Sequence, residues 1–127
     1  MLTTGIKGII ERDVTAALTA KAFGSGELDV FATPALISLA EETAWRSVAG
    51  LLETGQGTVG THVDISHIAA TPTRMKVRCE TELTDIDNRR LTFRIEVFDA
   101  AEKIAEGTHE RFIVDNERFQ KKADSKH

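Results

Sequence analysis

Three side chains in this sequence have the types needed to transfer an acyl group: the hydroxyl of Thr33, the carboxylate of Glu41 and the imidazole of His67. A hydroxyl or carboxylate can attack a carbonyl carbon or activate water, and an imidazole can carry the proton that the leaving group needs. Two of the three also break the pattern around them. On a helix projected at about 100° per residue, Leu36, Ile37, Leu39, Ala40, Thr43, Ala44, Val48, Leu51 and Leu52 form a broad apolar arc. Ser38, Glu42, Arg46, Ala49 and Glu53 form the polar one. Glu42 is a solvated residue of the polar arc, whereas Glu41 falls between Val48 and Leu52 at an edge of the apolar one. A carboxylate there is either functional, or sits at the margin and reaches water or a base such as Arg111. His67 counts by twos from Val59 onto a face with Thr61, Val63 and Ile65, while His62 and Asp64 face the other way. By itself an inward histidine reads as a satisfied core residue, and Thr33 reads as a helix N-cap. Together they can converge on one pocket.

The elements that must position these residues follow from the periodicity. Ile6 to Val14 reads as a first strand, and Gly24-Ser25-Gly26 marks a loop. One long helix runs from Pro34 to about Glu53, with Thr33 at the N-cap and Pro34 at the first helical position. It stops before Thr54-Gly55-Gln56-Gly57. Four alternating segments follow. The first runs through Val59 to His67. Beyond the turn at Thr71-Pro72-Thr73 the second carries Met75, Val77, Cys79, Thr81 and Leu83, and beyond Asp87-Asn88 the third carries Leu91, Phe93, Ile95 and Val97. The last runs from about Lys103 to Val114. Short turns favour antiparallel neighbours, so the fold class is α+β, one helix against a mostly antiparallel five-stranded sheet. So small a core with open sheet edges points to a homodimer.

Length and composition narrow the partners. The chain of 127 residues is the size of one domain, 1–127, with about 120–127 expected to be a frayed tail. A net charge of −4 and the lack of a basic stripe argue against nucleic acid. No N-terminal signal segment and no run approaching the ~20 apolar residues of a membrane span is seen, so a soluble, cytoplasmic protein is expected. The single Cys79 excludes an internal disulfide and a cysteine-based zinc site, and alternation makes it buried or half-buried. His62 and His67 point to opposite faces, and His109 and His127 lack ligand spacing, so no metal is expected. His62 and His109 are both expected at exposed or rim positions. Gly55-Gln56-Gly57-Thr58-Val59-Gly60 has the letters of a dinucleotide fingerprint, but a helix precedes it and a strand follows, the reverse of what that site needs.

Three segments resemble the fluoroacetyl-CoA thioesterase-like branch of the hotdog superfamily. They are Phe31-Ala32-Thr33-Pro34-Ala35-Leu36-Ile37-Ser38-Leu39-Ala40-Glu41, then Gly57 through Pro72, and Gly107-Thr108-His109-Glu110-Arg111. The resemblance runs from about Ile6 to Phe119. It implies a long helix wrapped by an antiparallel sheet, two subunits pairing to make the active sites, and an acyl-CoA thioesterase that needs no cofactor. It also implies catalytic roles for Thr33, Glu41 and His67, a carbonyl-receiving amide at Gly60, and Arg111 near the substrate. Whether Thr33 or Glu41 is the nucleophile stays open. The stretch Phe23-Gly24-Ser25-Gly26-Glu27-Leu28 has glycines and a glutamate where the fluoroacetyl-specific enzyme carries aromatic residues, so a general short- or medium-chain acyl-CoA is the expected substrate. The alternatives are a non-catalytic acyl-CoA-binding module, a structural dimer and, on fold alone, a hotdog hydratase.

Overall fold

The computed structural model describes residues 1–127. Strand β1 (Lys7–Asp13) leads through a 3-10 turn (Ala16–Leu18) and the short helix α1 (Ala20–Phe23) into the long helix α2 (Thr33–Ala49). Strands β2 (Gln56–His67), β3 (Lys76–Asp87), β4 (Arg90–Phe98) and β5 (Lys103–Asp115) follow, and helix α3 (Asn116–Asp124) closes the chain. The five strands form one sheet in the order β1-β3-β4-β5-β2, with every pair antiparallel. The expected α+β architecture is therefore present, and β1 and β2 are its two open edges.

Alternation builds the core. Val77, Cys79 and Leu83 of β3 and Leu91, Phe93, Ile95 and Val97 of β4 are fully buried, as period-two patterning requires. They face Leu36, Leu39, Ala40, Ala44 and Val48 of α2. The helix lies close on the sheet because Gly8 has no side chain. A Cβ there would stand 2.8 Å from the Thr43 carbonyl oxygen and 2.9 Å from Ser47 Cβ. Burial pushes the Cys79 thiol up to about 11. No helix is long and apolar enough to cross a membrane.

Three boundaries differ from expectation. Helix α2 ends at Ala49 rather than near Glu53, because Gly50, a poor helix former, takes the C-cap and the chain turns through Leu51 and Leu52. The N-cap is Ala32, in extended conformation, and Thr33 is already helical. At the other end, Asp115 caps α3 by accepting a hydrogen bond from the Arg118 amide at 3.2 Å, so helix runs into the stretch expected to be frayed. All of α3 is solvent-exposed.

Candidate active site

The approach to α2 is pinned on both sides. Phe31 and Ala32 are buried, and their amides donate to the Thr71 and Leu18 carbonyls at 2.8 and 2.9 Å. That fixes Thr33 on the first turn, where its hydroxyl caps no backbone amide. It lies 2.8 Å from His67 Nδ1 instead. His67 is the last residue of β2, and the strand end is held where the Ile68 amide donates to the Ile104 carbonyl at 2.8 Å. Burial lowers the His67 pKa below its ordinary 6.5, opposed in part by the Ala69 backbone. His67 Nε2 is buried without a protein partner. The pair sits in a shallow cleft of about 270 Å3 whose other walls include Val30, Phe31, Ile68 and Ala70.

A second cluster forms around Glu41. Its carboxylate accepts from Arg111 Nη1 at 3.1 Å, and its side chain is 43% exposed. Glu41 is thus at the margin of the apolar arc, bridged to Arg111. The Arg111 side chain is only 7% exposed, and four of its five N–H groups are taken. Nε donates to Thr58 Oγ1 at 2.8 Å, Nη2 to the Thr58 carbonyl at 3.0 Å, and Nη1 also to His109 Nε2 at 3.1 Å. Burial lowers the Arg111 pKa against the pull of Glu41, yet a guanidinium stays charged at neutral pH. Gly60 lies directly against this group: a Cβ there would collide with the Glu41 carboxylate and stand 3.3 Å from Arg111 Nη1 and from His109 Cε1.

A β-bulge sets the facing of these residues. Gly60 pairs with Arg111 and His62 with Glu110, so Thr61 is an extra residue on β2. Before it, Thr58 and Gly60 lie opposite the buried Ile113 and Arg111; after it, Val63 and His67 lie opposite the buried His109 and Ala105. The expected inward facing of His67 is found, as is the exposed His62. Val59 and Thr61 do not share the His67 face, because the extra residue shifts the alternation by one. Val59 pairs with the exposed Phe112 instead.

His109 is the residue that the sequence reading misplaced. It was expected at a rim and is fully buried, with Nδ1 2.8 Å from the His62 carbonyl oxygen and Nε2 on Arg111. The signal was present: His109, Arg111 and Ile113 fall on alternate positions of β5, and Ile113 marks that face as inward. Thr58, two residues before Gly60, belongs to the same cluster and was also missed.

The structure brings Thr33 to His67, and Glu41 to Gly60 and Arg111. It does not bring the two groups together within one chain. Eight helical residues separate Thr33 from Glu41, about 12 Å along the axis. The stretch of β2 from Gly60 to His67 spans roughly 20 Å. No group of three or more His, Cys, Asp or Glu side chains is arranged to hold a metal ion.

Comparison with known proteins gives a consistent answer. Residues 14–117 match a family model described as fluoroacetyl-CoA-specific thioesterase. A fluoroacetyl-CoA thioesterase from Streptantibioticus cattleyicolor is 38% identical over 98 residues, covering 77% of this chain and 70% of that protein. A solved structure of a fluoroacetyl-CoA thioesterase is 32% identical, with a TM-score of 0.94 over 100% of this chain and 98% of the other. A hot-dog-like protein from Thermanaerovibrio acidaminovorans, 16% identical, has a TM-score of 0.90 over 98% of this chain and 93% of its own, a likeness of fold alone.

Proposed function

Since the chain belongs to the fluoroacetyl-CoA-specific thioesterase family of hotdog-fold thioester hydrolases, we propose that it hydrolyses a short- or medium-chain acyl-CoA to the free acid and CoA. The observation that carries the reading is the pair of half-sites. A hydroxyl–imidazole pair lines an apolar cleft, and a carboxylate held by a buried arginine stands beside a glycine with no room for a side chain.

The thioester carbonyl would lie against the Gly60 amide, which stabilises the charge that develops on oxygen. Glu41 is the nearest anion to a carbonyl received there. It either takes a proton from the attacking water, or attacks the carbon to form an anhydride that water then hydrolyses to free the acid and the carboxylate. With the Thr33 hydroxyl as donor to His67 Nδ1, the ring carries its proton on Nε2. That proton passes to the departing thiolate as the C–S bond breaks, and the ring regains through solvent the proton that Glu41 took from the water. Arg111 serves the substrate indirectly, by aiming Glu41.

The two half-sites meet across a homodimer. Strand β2 has a free edge, with Thr61, His62, Val63 and Asp64 all exposed. Antiparallel pairing of β2 with its copy, about a twofold axis near Val63 and Asp64, sets the partner's His67 close to Gly60. Each site then takes Glu41, Gly60 and Arg111 from one protomer and the Thr33–His67 pair from the other. The loop following α1 supports a broad acyl range. Gly24 caps α1 in left-handed conformation, and Phe23 and Leu28 are exposed rather than folded over the cleft.

CoA release from a panel of acyl-CoAs tests the function, with Glu41→Gln and His67→Ala beside the unaltered protein. Turnover lost in both folded variants is expected, and the preferred chain length then defines the substrate. Saturable acyl-CoA binding without turnover across the panel would identify a binding module instead.

A further inference from the structure

Arg111 aims Glu41, and a buried histidine in turn holds Arg111. The chemistry of its neighbours assigns both ring nitrogens of His109. A carbonyl oxygen only accepts, so the contact to the His62 carbonyl at 2.8 Å puts the proton on Nδ1. Nε2 is then a bare lone pair and accepts from Arg111 Nη1 at 3.1 Å. A proton on Nε2 would face the guanidinium N–H and add a second buried cation. Burial and the Arg111 charge both hold the ring below its ordinary 6.5. The Phe93 ring lies beside it, 6.4 Å between centroids and tilted by 30°, in surroundings closed to solvent.

The two partners of this ring belong to the two halves of one reaction centre. His62 is the residue after the extra Thr61, so its carbonyl reports the position of the bulge and of Gly60. Arg111 Nη1 has two hydrogens and two acceptors, Glu41 Oε2 and His109 Nε2, each at 3.1 Å. Thr58 holds only the opposite edge of the guanidinium. Without the Nε2 acceptor one buried N–H is left unpaired, and the plane tilts to find a partner.

We propose that His109 is a positioning residue for the thioesterase reaction: its neutral ring ties the strand bulge beside Gly60 to the guanidinium that aims Glu41, and so fixes amide and carboxylate in one register. The inference rests on the roles proposed above for Gly60 and Glu41. It predicts different fates for two near-isosteres. Asparagine places an amide N–H where Nδ1 stands, keeping the bond to the His62 carbonyl and losing the acceptor for Arg111. Glutamine places a carbonyl oxygen where Nε2 stands, keeping the acceptor and losing the bulge contact.

The test is steady-state kinetics of His109→Asn and His109→Gln on the best acyl-CoA of the panel, together with nitrogen NMR of the His109 ring in the unaltered protein. The expected result is a kcat lower by roughly 10- to 100-fold in the asparagine variant, with KM little changed, and substantial recovery in the glutamine variant. The spectrum should show the neutral, Nδ1-protonated tautomer. Equal kcat values in both variants, or an Nε2-protonated ring, would overturn the proposal. Turnover lost in Glu41→Gln with both His109 variants unaffected defeats this inference alone. Absence of turnover in the unaltered protein defeats the thioesterase reading, and the ring tautomer still decides whether the His62–His109–Arg111 tie exists.

Discussion

At the scale of single residues, the site depends on a side chain that is absent. Gly60 leaves the space that the Glu41 carboxylate occupies, and a methyl group there would displace the carboxylate or the arginine that holds it. Gly60→Ala should therefore lower kcat by roughly 100-fold while the protein remains folded, since the added methyl meets Glu41, Arg111 and His109 rather than the apolar core. Circular dichroism alongside CoA-release rates checks both halves. Protonation is the other residue-scale lever. His67 and His109 have pKa values lowered from 6.5 on folding. Below that pH the unfolded chain binds protons that the folded chain refuses, so stability rises with pH through this window and falls as pH is lowered from 6.5. A second loss follows below 4.5, where the Arg12 hydrogen bond holds Glu42 low and the Lys103 hydrogen bond holds Glu96 low. Thermal melting from about pH 8 down to pH 5 should show the first loss, and a flat profile would contradict neutral burial of the two histidines.

At the scale of elements, one extra residue decides which face each half of β2 presents. Deleting Thr61 restores a plain ladder and turns either Gly60 or His67 away from the helix. Turnover should fall to background with the strand content unchanged, a result that kinetics and far-ultraviolet dichroism would read together. The bulge also marks the limit of what the sequence could reveal. Strands β3 and β4 were legible because Val77 to Leu83 and Leu91 to Val97 alternate without interruption against a single buried face. Helix α2 was legible from its apolar arc, and Glu41 from its place at that arc's edge. A bulge leaves no mark in residue types, so Val59 and Thr61 were assigned to the wrong face although His67 was assigned to the right one. His109 was missed for a related reason: a polar residue on an inward face looks exposed until its partners, His62 and Arg111, are brought to it by the fold. Thr33 fits an N-cap by type, but it stands one residue inside the helix behind Ala32, and its hydroxyl meets His67 instead.

At the scale of the whole molecule, the roughly 20 Å between Gly60 and His67 in one chain is the reason for proposing that activity is a property of two. Mixing Glu41→Gln and His67→Ala protomers, each inactive alone, should regenerate one intact site in each mixed dimer. With random exchange about half of the dimers are mixed, so roughly a quarter of the unaltered activity should return. No recovery after verified subunit exchange would mean that each site is complete within one chain. The solitary cysteine also bears on how such experiments are read. Cys79 is fully buried and its thiol is held near 11, so almost none of it is thiolate at neutral pH. A disulfide dye that turns yellow on meeting a thiol will therefore count liberated CoA and ignore the protein while the core stays shut. One additional slow equivalent of colour per chain signals that the core has opened, so a single cuvette distinguishes a variant that has lost its chemistry from one that has lost its fold.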